Sequence, residues 1–289
     1  MTQQRIGVVG AGLMGREIAL VFALAGHEAV LLDQSQDALD EAMRRLAEIV
    51  EKAIQRGLLA EDCRTALTRI HSTVERDRFA ECDFVTEAVF ETVEVKAAVL
   101  RWLADVCKPA CVIATNTSTI PITVLASHLP PERRARFVGT HYFSPVLRMP
   151  LVEVIGGLET ASETVATAMA LCRGIGKTPI EVKDVPGFAV NRVLHAFMIE
   201  AVRLVEEGVA TPADIDLACR LGLGHPMGPF ELMDATTSRL CLQSQDIMFN
   251  AYGERFRPRP LLKQRVEAGY VGGRGRPGWR SNDSGRKWP

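Results

Sequence analysis

Residues 6–15 read Ile6-Gly7-Val8-Val9-Gly10-Ala11-Gly12-Leu13-Met14-Gly15. A short apolar run closes on a G-x-G-x-x-G loop, and helical spacing follows over 14–25. A second apolar run, Ala29-Val30-Leu31-Leu32, ends at Asp33. A strand, a glycine loop opening a helix, and an acidic residue at the end of the next strand form the context of a dinucleotide site. Each glycine has a reason. Gly10 allows the tight turn, Gly12 lets a pyrophosphate approach the backbone, and Gly15 permits close helix–strand packing. The helix N-terminus offers N–H groups to the phosphates. The loop therefore assigns Gly10, Gly12, Leu13, Met14 and Gly15 to cofactor binding. Asp33 suits two ribose hydroxyls and repels a 2′-phosphate, and Gln34 and Ser35 bring no arginine to receive one. NAD is favoured over NADP. The plain alternative is a glycine turn with no ligand.

Working outward, residues 35–56 carry a long helical pattern and 61–69 a second one running back. Apolar runs recur near Ile70, at Phe84-Val85, at 111–115 and at 137–139, with helical stretches between them. A strand at 151–155, a helix at 160–173 and a strand at 178–182 follow. This alternation predicts a Rossmann-type α/β fold, a doubly wound, mainly parallel sheet with helices on both faces. After Lys183-Asp184-Val185-Pro186-Gly187 the strand patterns stop. Helical patterns cover 187–207, 212–221 and 229–250. The expected division is a cofactor-binding domain over 1–184, with a helical excursion at 35–69, and an all-α domain over 185–289. The Gly/Arg/Ser-rich stretch from 272 reads as a mobile tail.

With 289 residues, the chain is long enough for two cores. A net charge of −1 offers no field toward nucleic acid or an anionic membrane. The seven cysteines are an odd number and no Cys-x-x-Cys occurs, which argues for free thiols in a reducing compartment and against a disulfide frame or zinc site. No metal site is expected. The start leaves no room for a signal peptide and no apolar run approaches membrane length, so a cytoplasmic protein is expected.

Chemistry concentrates in His141-Tyr-Phe-Ser-Pro-Val-Leu-Arg-Met-Pro-Leu-Val-Glu153-Val. A carboxylate within the apolar run 151–155 is costly unless paired. Pro145 and Pro150 bend the chain, so a returning strand could bring Glu153 beside His141. A carboxylate on one ring nitrogen sets the tautomer and stabilises the imidazolium, while the other nitrogen accepts a proton from an alcohol. A purely structural ion pair between strands fits equally well from position alone. Asn116-Thr117-Ser118-Thr119, at the end of another strand, either holds a substrate oxygen or caps the helix near Pro121. Asn191, early in the helix 187–207, either satisfies a buried neighbour or serves a site.

Seven stretches together resemble the NAD-dependent L-3-hydroxyacyl-CoA dehydrogenase family, of the 3-hydroxybutyryl-CoA dehydrogenase type. They are VVGAGLMGREIA (8–19), LLDQS (31–35), EAVFETVEVK (87–96), NTSTIPIT (116–123), HYFSPVLRMPLVEVI (141–155), KDVPGFAVNR (183–192) and HPMGPFELMD (225–234). The resemblance implies an oxidoreductase of fatty acid metabolism that moves hydride between NAD and C3 of a 3-hydroxyacyl-CoA. It implies His141 as catalytic base, oriented by Glu153, with Ser118 at substrate and cofactor and Asn191 in the active site. It implies Glu91, Lys96 and Ser144 as nicotinamide-side contacts, though an exposed ion pair would also account for Glu91 and Lys96. It also implies a lid over the CoA at 35–69, with Arg56 a basic contact, and a homodimer formed through the second domain. A lone exposed arginine is otherwise simply solvated. Ser144 stands where the family often has Asn, and Pro150 where it often has Lys. Ala235-Thr236-Thr237 and Gly278-Trp279-Arg280 also depart from the family pattern. Rival readings are a sister dehydrogenase of a free 3-hydroxy acid, of sugar-acid or carnitine type, and a non-catalytic NAD-binding protein.

Overall fold

The structure is a computed structural model that describes residues 3–273 and 275–280. Chain contacts divide it between Val185 and Pro186 into two compact units. The first unit is an eight-stranded sheet: β1 (Arg5–Val9), β2 (Glu28–Leu32), β3 (Ile70–Thr73), β4 (Phe84–Glu87), β5 (Val112–Thr115), β6 (Phe137–Tyr142), β7 (Leu151–Gly156) and β8 (Thr178–Lys183). Their order across the sheet is β3-β2-β1-β4-β5-β6-β7-β8. All neighbours pair in parallel except β6 and β7, which run antiparallel. The chain reverses its direction of travel between β1 and β4, the switch point beside which such sheets bind nucleotides. The central strands are near-continuous apolar runs because both of their faces are covered.

Helices α1 (Leu13–Leu24), α2 (Gln36–Gln55), α3 (Val93–Val106), α4 (Ile122–Ala126), α5 (Pro131–Arg134) and α6 (Ser162–Gly174) complete this unit. In α2 the buried residues are Leu39, Ala42, Leu46, Val50 and Ala53, a single stripe at three- and four-residue steps. That stripe joins the core of Ile18, Phe22 and Leu31. Burying each leucine contributes about 2 kcal/mol. The opposite face carries ion pairs among Glu41, Arg44, Arg45 and Glu48. The segment 61–69 forms a 3₁₀ helix with Ala66 as its buried residue.

The second unit is helical: α7 (Val190–Glu206), α8 (Pro212–Gly222), α9 (Pro229–Thr236), α10 (Ser238–Tyr252) and α11 (Pro260–Glu267). The single helical pattern expected over 229–250 is two helices. Thr237, at φ 91°, breaks them, and its hydroxyl accepts from the Leu240 N–H to start α10. The core gathers Met198, Val202, Phe230, Met233, Leu262 and Trp279. Placing Trp279 there corrects the expectation of a mobile tail from 272. The Trp279 indole is 1% exposed and packs against Phe230, with ring centroids 4.8 Å apart. Its Nε1 donates to Ser238 Oγ at 3.0 Å, and the Arg265 guanidinium lies 4.3 Å from the ring centroid. Asp234 accepts from the Trp279 and Arg280 amides at 2.8 and 3.1 Å. A Gly/Arg-rich composition hid one large aromatic that outweighs its polar neighbours. The rest of the expected tail, 281–289, lies outside the described residues.

Candidate active site

The glycine loop leaves β1 and opens α1. Gly10 has φ +100°, and a Cβ there would sit 2.7 Å from the Ala88 carbonyl oxygen. At Gly15 a Cβ would sit 1.8 Å from the Gly10 carbonyl oxygen. Protein packing therefore demands glycine at 10 and 15. Gly12 differs: its φ is −64°, and a Cβ there would meet nothing within 4 Å. The protein leaves space above Gly12, as close approach of a pyrophosphate requires. The first turn of α1 has neither a side-chain cap nor an acidic residue, so its amides suit an anion. Leu13 is half exposed beside this space and Met14 is partly buried. Asp33, just past β2, accepts from the Ala11 amide through Oδ2 at 2.8 Å and from the Ser35 amide through Oδ1 at 3.3 Å. The first of these bonds ties the Asp33 carboxylate to the glycine loop. These residues fit a dinucleotide.

β6 and β7 form the antiparallel pair in which His141 stands directly opposite Glu153. β6 extends to Tyr142, so His141 is its penultimate residue. His141 Nδ1 and Glu153 Oε2 are 2.7 Å apart. Glu153 is fully buried, and His141 is 6% exposed with its ring 4.5 Å from that of Phe143. A carboxylate this deep is compensated by its partner, and a hydrogen bond to an ionised group is worth more than a neutral one.

The 143–150 loop between these strands carries Ser144, which is exposed. Glu17 on α1 accepts from the Val146 amide at 2.6 Å. Lys177 donates to the carbonyls of Val146 and, at 2.9 Å, Met149. Both charged groups are buried, and burial holds the Lys177 amine below its ordinary value. Neither residue was singled out from sequence, because a charged residue in a helical pattern or before a strand carries no sign of which loop it will grip.

The segment 116–119 does not cap α4 as one of its readings held. Asp184 does so, accepting from the Ile122 and Thr123 amides at 2.7 and 2.8 Å and from the Thr123 hydroxyl at 2.6 Å. The donors of 117–119 converge instead on Glu91. Its Oε1 accepts from Thr117 Oγ1 at 2.6 Å, the Ser118 amide at 2.8 Å, the Thr119 amide at 3.0 Å, Ser118 Oγ at 3.3 Å and Thr119 Oγ1 at 3.2 Å. Asn116 Oδ1 accepts from the Tyr142 amide at 2.9 Å, which joins this segment to the strand of His141.

Glu91 and Lys96 are not an exposed ion pair either. Lys96 is 1% exposed, and its Nζ is 3.2 Å from Glu91 Oε2 and 2.9 Å from Oε1 of the fully buried Glu87. Burial alone would raise the Glu91 carboxyl. The Lys96 ammonium and the donors of 117–119 overcome that and hold it below the ordinary carboxylate value.

Arg56 ends α2 and is exposed. Asn191 is the second residue of α7, in the second unit, and is partly buried. Among the described residues no cluster of His, Cys, Asp or Glu could hold a metal ion, and no helix is long and apolar enough to cross a membrane.

A carboxylate-backed histidine, a serine-bearing loop and a dinucleotide loop on one sheet describe an NAD-linked alcohol dehydrogenation site. The comparisons agree. The family model for the 3-hydroxyacyl-CoA dehydrogenase NAD-binding domain matches residues 5–185, and that for the C-terminal domain matches 187–281. The chain is 40% identical over 269 residues to a probable 3-hydroxybutyryl-CoA dehydrogenase of Deinococcus radiodurans, covering 93% of this chain and 96% of that protein. It is 38% identical over 271 residues to a 3-hydroxybutyryl-CoA dehydrogenase of Bradyrhizobium diazoefficiens, covering 93% of this chain and 92% of that one. The crystal structure of the (S)-3-hydroxybutyryl-CoA dehydrogenase PaaH1 from Ralstonia eutropha superposes with a TM-score of 0.90 at 36% identity, covering 96% of this chain and 98% of that one. The two family models together span nearly the whole length, and the relatives match over more than nine-tenths of it, so the chain belongs to the NAD-dependent 3-hydroxyacyl-CoA dehydrogenase family.

Proposed function

We propose that the protein interconverts a 3-hydroxyacyl-CoA and the 3-oxoacyl-CoA, a step of fatty acid metabolism. The observation that carries this is the 2.7 Å pairing of His141 Nδ1 with the buried Glu153 carboxylate. When bound, NAD supplies a hydride acceptor for the carbinol carbon. The protein's task is then the proton. Glu153 holds Nδ1 as a donor, which makes Nε2 the basic nitrogen. His141 takes the C3 hydroxyl proton there, and Glu153 offsets the imidazolium charge that results. Ser118 lies on the loop gathered by Glu91, and in this reading its hydroxyl orients the substrate oxygen. Asn191 is assigned its active-site role by resemblance, and Arg56 a contact to the CoA.

Gly10, Gly12, Leu13, Met14 and Gly15 hold the pyrophosphate. Asp33 holds the adenosine ribose, and Glu91, Lys96, Ser118 and Ser144 lie toward the nicotinamide. The buried ammonium of Lys96 is bound by two carboxylates, so its part is to fix Glu91 rather than to meet an anion. The second unit is the dimerisation domain in this reading. Leu217 and Leu221, one turn apart on α8, are exposed, as are Val209, Leu223 and Met227, and apolar side chains left open on this unit suit a second copy. All seven cysteines are unpaired, in keeping with a reducing cytoplasm.

The test is NADH and NADPH oxidation with acetoacetyl-CoA, longer 3-oxoacyl-CoA esters and free 3-oxo acids, and the reverse reaction with free 3-hydroxy acids. Turnover with the CoA esters and NADH is expected. Turnover confined to the free acids refutes the substrate assignment, and silence across the panel refutes the catalytic one.

A further inference from the structure

The Glu91 cradle has a second layer. Glu87 is the last residue of β4 and fully buried. Its Oε1 accepts from the Val89 amide at 2.7 Å and from Lys96 Nζ at 2.9 Å. Its Oε2 accepts from Thr115 Oγ1 at 2.7 Å and from Lys96 Nζ at 3.2 Å. The Lys96 ammonium in turn bonds Glu91, and Glu91 gathers 117–119. Two carboxylates thus share one buried ammonium. A charge this deep holds its place only while its partners satisfy it, and removing one partner of such a group is costly.

We propose that Glu87 is a positioning residue for the dehydrogenation: through Lys96 and Glu91 it sets where the Ser118 loop stands. This rests on the functional reading above and extends it inward. Two effects follow from the contacts. Glu87 divides the hold of the Lys96 ammonium, which limits how strongly Lys96 competes with the 117–119 donors for Glu91. Glu87 also ties the end of β5, through Thr115, to the turn at Val89. The loop that follows β4 and the loop that follows β5 therefore move as one body.

Glu87→Gln isolates the charge. The amide is isosteric, its oxygen still accepts from Val89 and Lys96, and the Thr115 hydroxyl can turn to accept from its NH₂. With an NH₂ in place of Oε2, Lys96 keeps one bond to residue 87 instead of two and meets no charge there, so it leans harder on Glu91 and draws it from Ser118. Displacement of a substrate-orienting group by about 1 Å costs on the order of 100-fold, so kcat/KM is expected to fall about 10- to 100-fold while the melting temperature changes little. In a Ser118→Ala background the same substitution should cost less than about threefold, because the group it positions is gone. Equal losses in both backgrounds, or no loss in either, overturn the proposal. Hydrogen exchange gives a readout independent of activity. Glu87→Gln should speed exchange at the Ser118 and Thr119 amides about tenfold and leave the α1 amides unchanged; unchanged exchange at 118 and 119 overturns the proposal. If wild-type protein turns over no acyl-CoA, the functional reading fails and the exchange result alone decides the positioning role. Should Glu87→Gln not fold, Glu87→Asp, which withdraws the carboxylate by one methylene, takes its place with the same expectations.

Discussion

Replacing Glu153 by Gln alters one charge at a position with no solvent contact and a defined partner. The amide has two ways to face His141 Nδ1. If its oxygen does so, the ring keeps its tautomer but loses the negative charge that stabilises the imidazolium. If its NH₂ does so, the ring proton moves to Nε2, and the base has no lone pair for the substrate proton. Either orientation removes part of a general-base contribution of about 100- to 10,000-fold, or about 3 to 5 kcal/mol of barrier. Stability should change far less. A hydrogen bond survives across the β6–β7 pair, and the cost of burying a carboxylate disappears, so a shift within about 1 kcal/mol is expected. The assay is steady-state NADH oxidation with acetoacetyl-CoA, alongside NADH affinity by fluorescence and thermal melting. The loss should lie in kcat, with NADH affinity and the melting temperature close to wild type. A variant that melts normally and keeps kcat within threefold of wild type would falsify the role given to the His141–Glu153 pair. A loss confined to KM for NADH would do the same.

His141→Gln should cut turnover by about 100- to 10,000-fold while NADH still binds; near-normal turnover refutes the base assignment. Gly12→Ala and Gly15→Ala should separate by mechanism. The first adds a methyl into open space, so it should fold normally yet lose NAD affinity in titration, whereas the second collides with the Gly10 carbonyl and should fold poorly. Trp279→Ala empties the core of the second unit and should cost about 3–5 kcal/mol in urea denaturation; a loss below 1 kcal/mol would show the tail segment to be dispensable. Burial lowers the His195 imidazole from 6.5 to about 4. The native state therefore prefers the neutral ring, and unfolding takes up a proton as the pH falls through this window. Its contribution is complete above pH 6.5 and declines toward pH 4, by about 3 kcal/mol in all. His195→Asn should flatten that part of the stability–pH curve, and an unchanged slope contradicts the assignment.

The sequence by itself determined the local and periodic features. The glycine loop, the strand–helix alternation to residue 183 and the all-helical remainder follow from backbone sterics and apolar spacing, which act over a few residues. The pairing of His141 with Glu153 was legible as a possibility because a buried carboxylate needs a partner and two prolines turn the chain between them. Its realisation needed the β6–β7 register, which tertiary packing sets. Other roles had no local sign. Asp184 caps α4 from about sixty residues away. Lys96 lies on a helix with the spacing of an exposed charge, yet it is buried between Glu87 and Glu91. Trp279 sits in a glycine- and arginine-rich stretch and still fills a core. In each case the deciding term is the desolvation of a polar group or a large ring, and that is set by which distant segments fold against it, not by its neighbours in the chain.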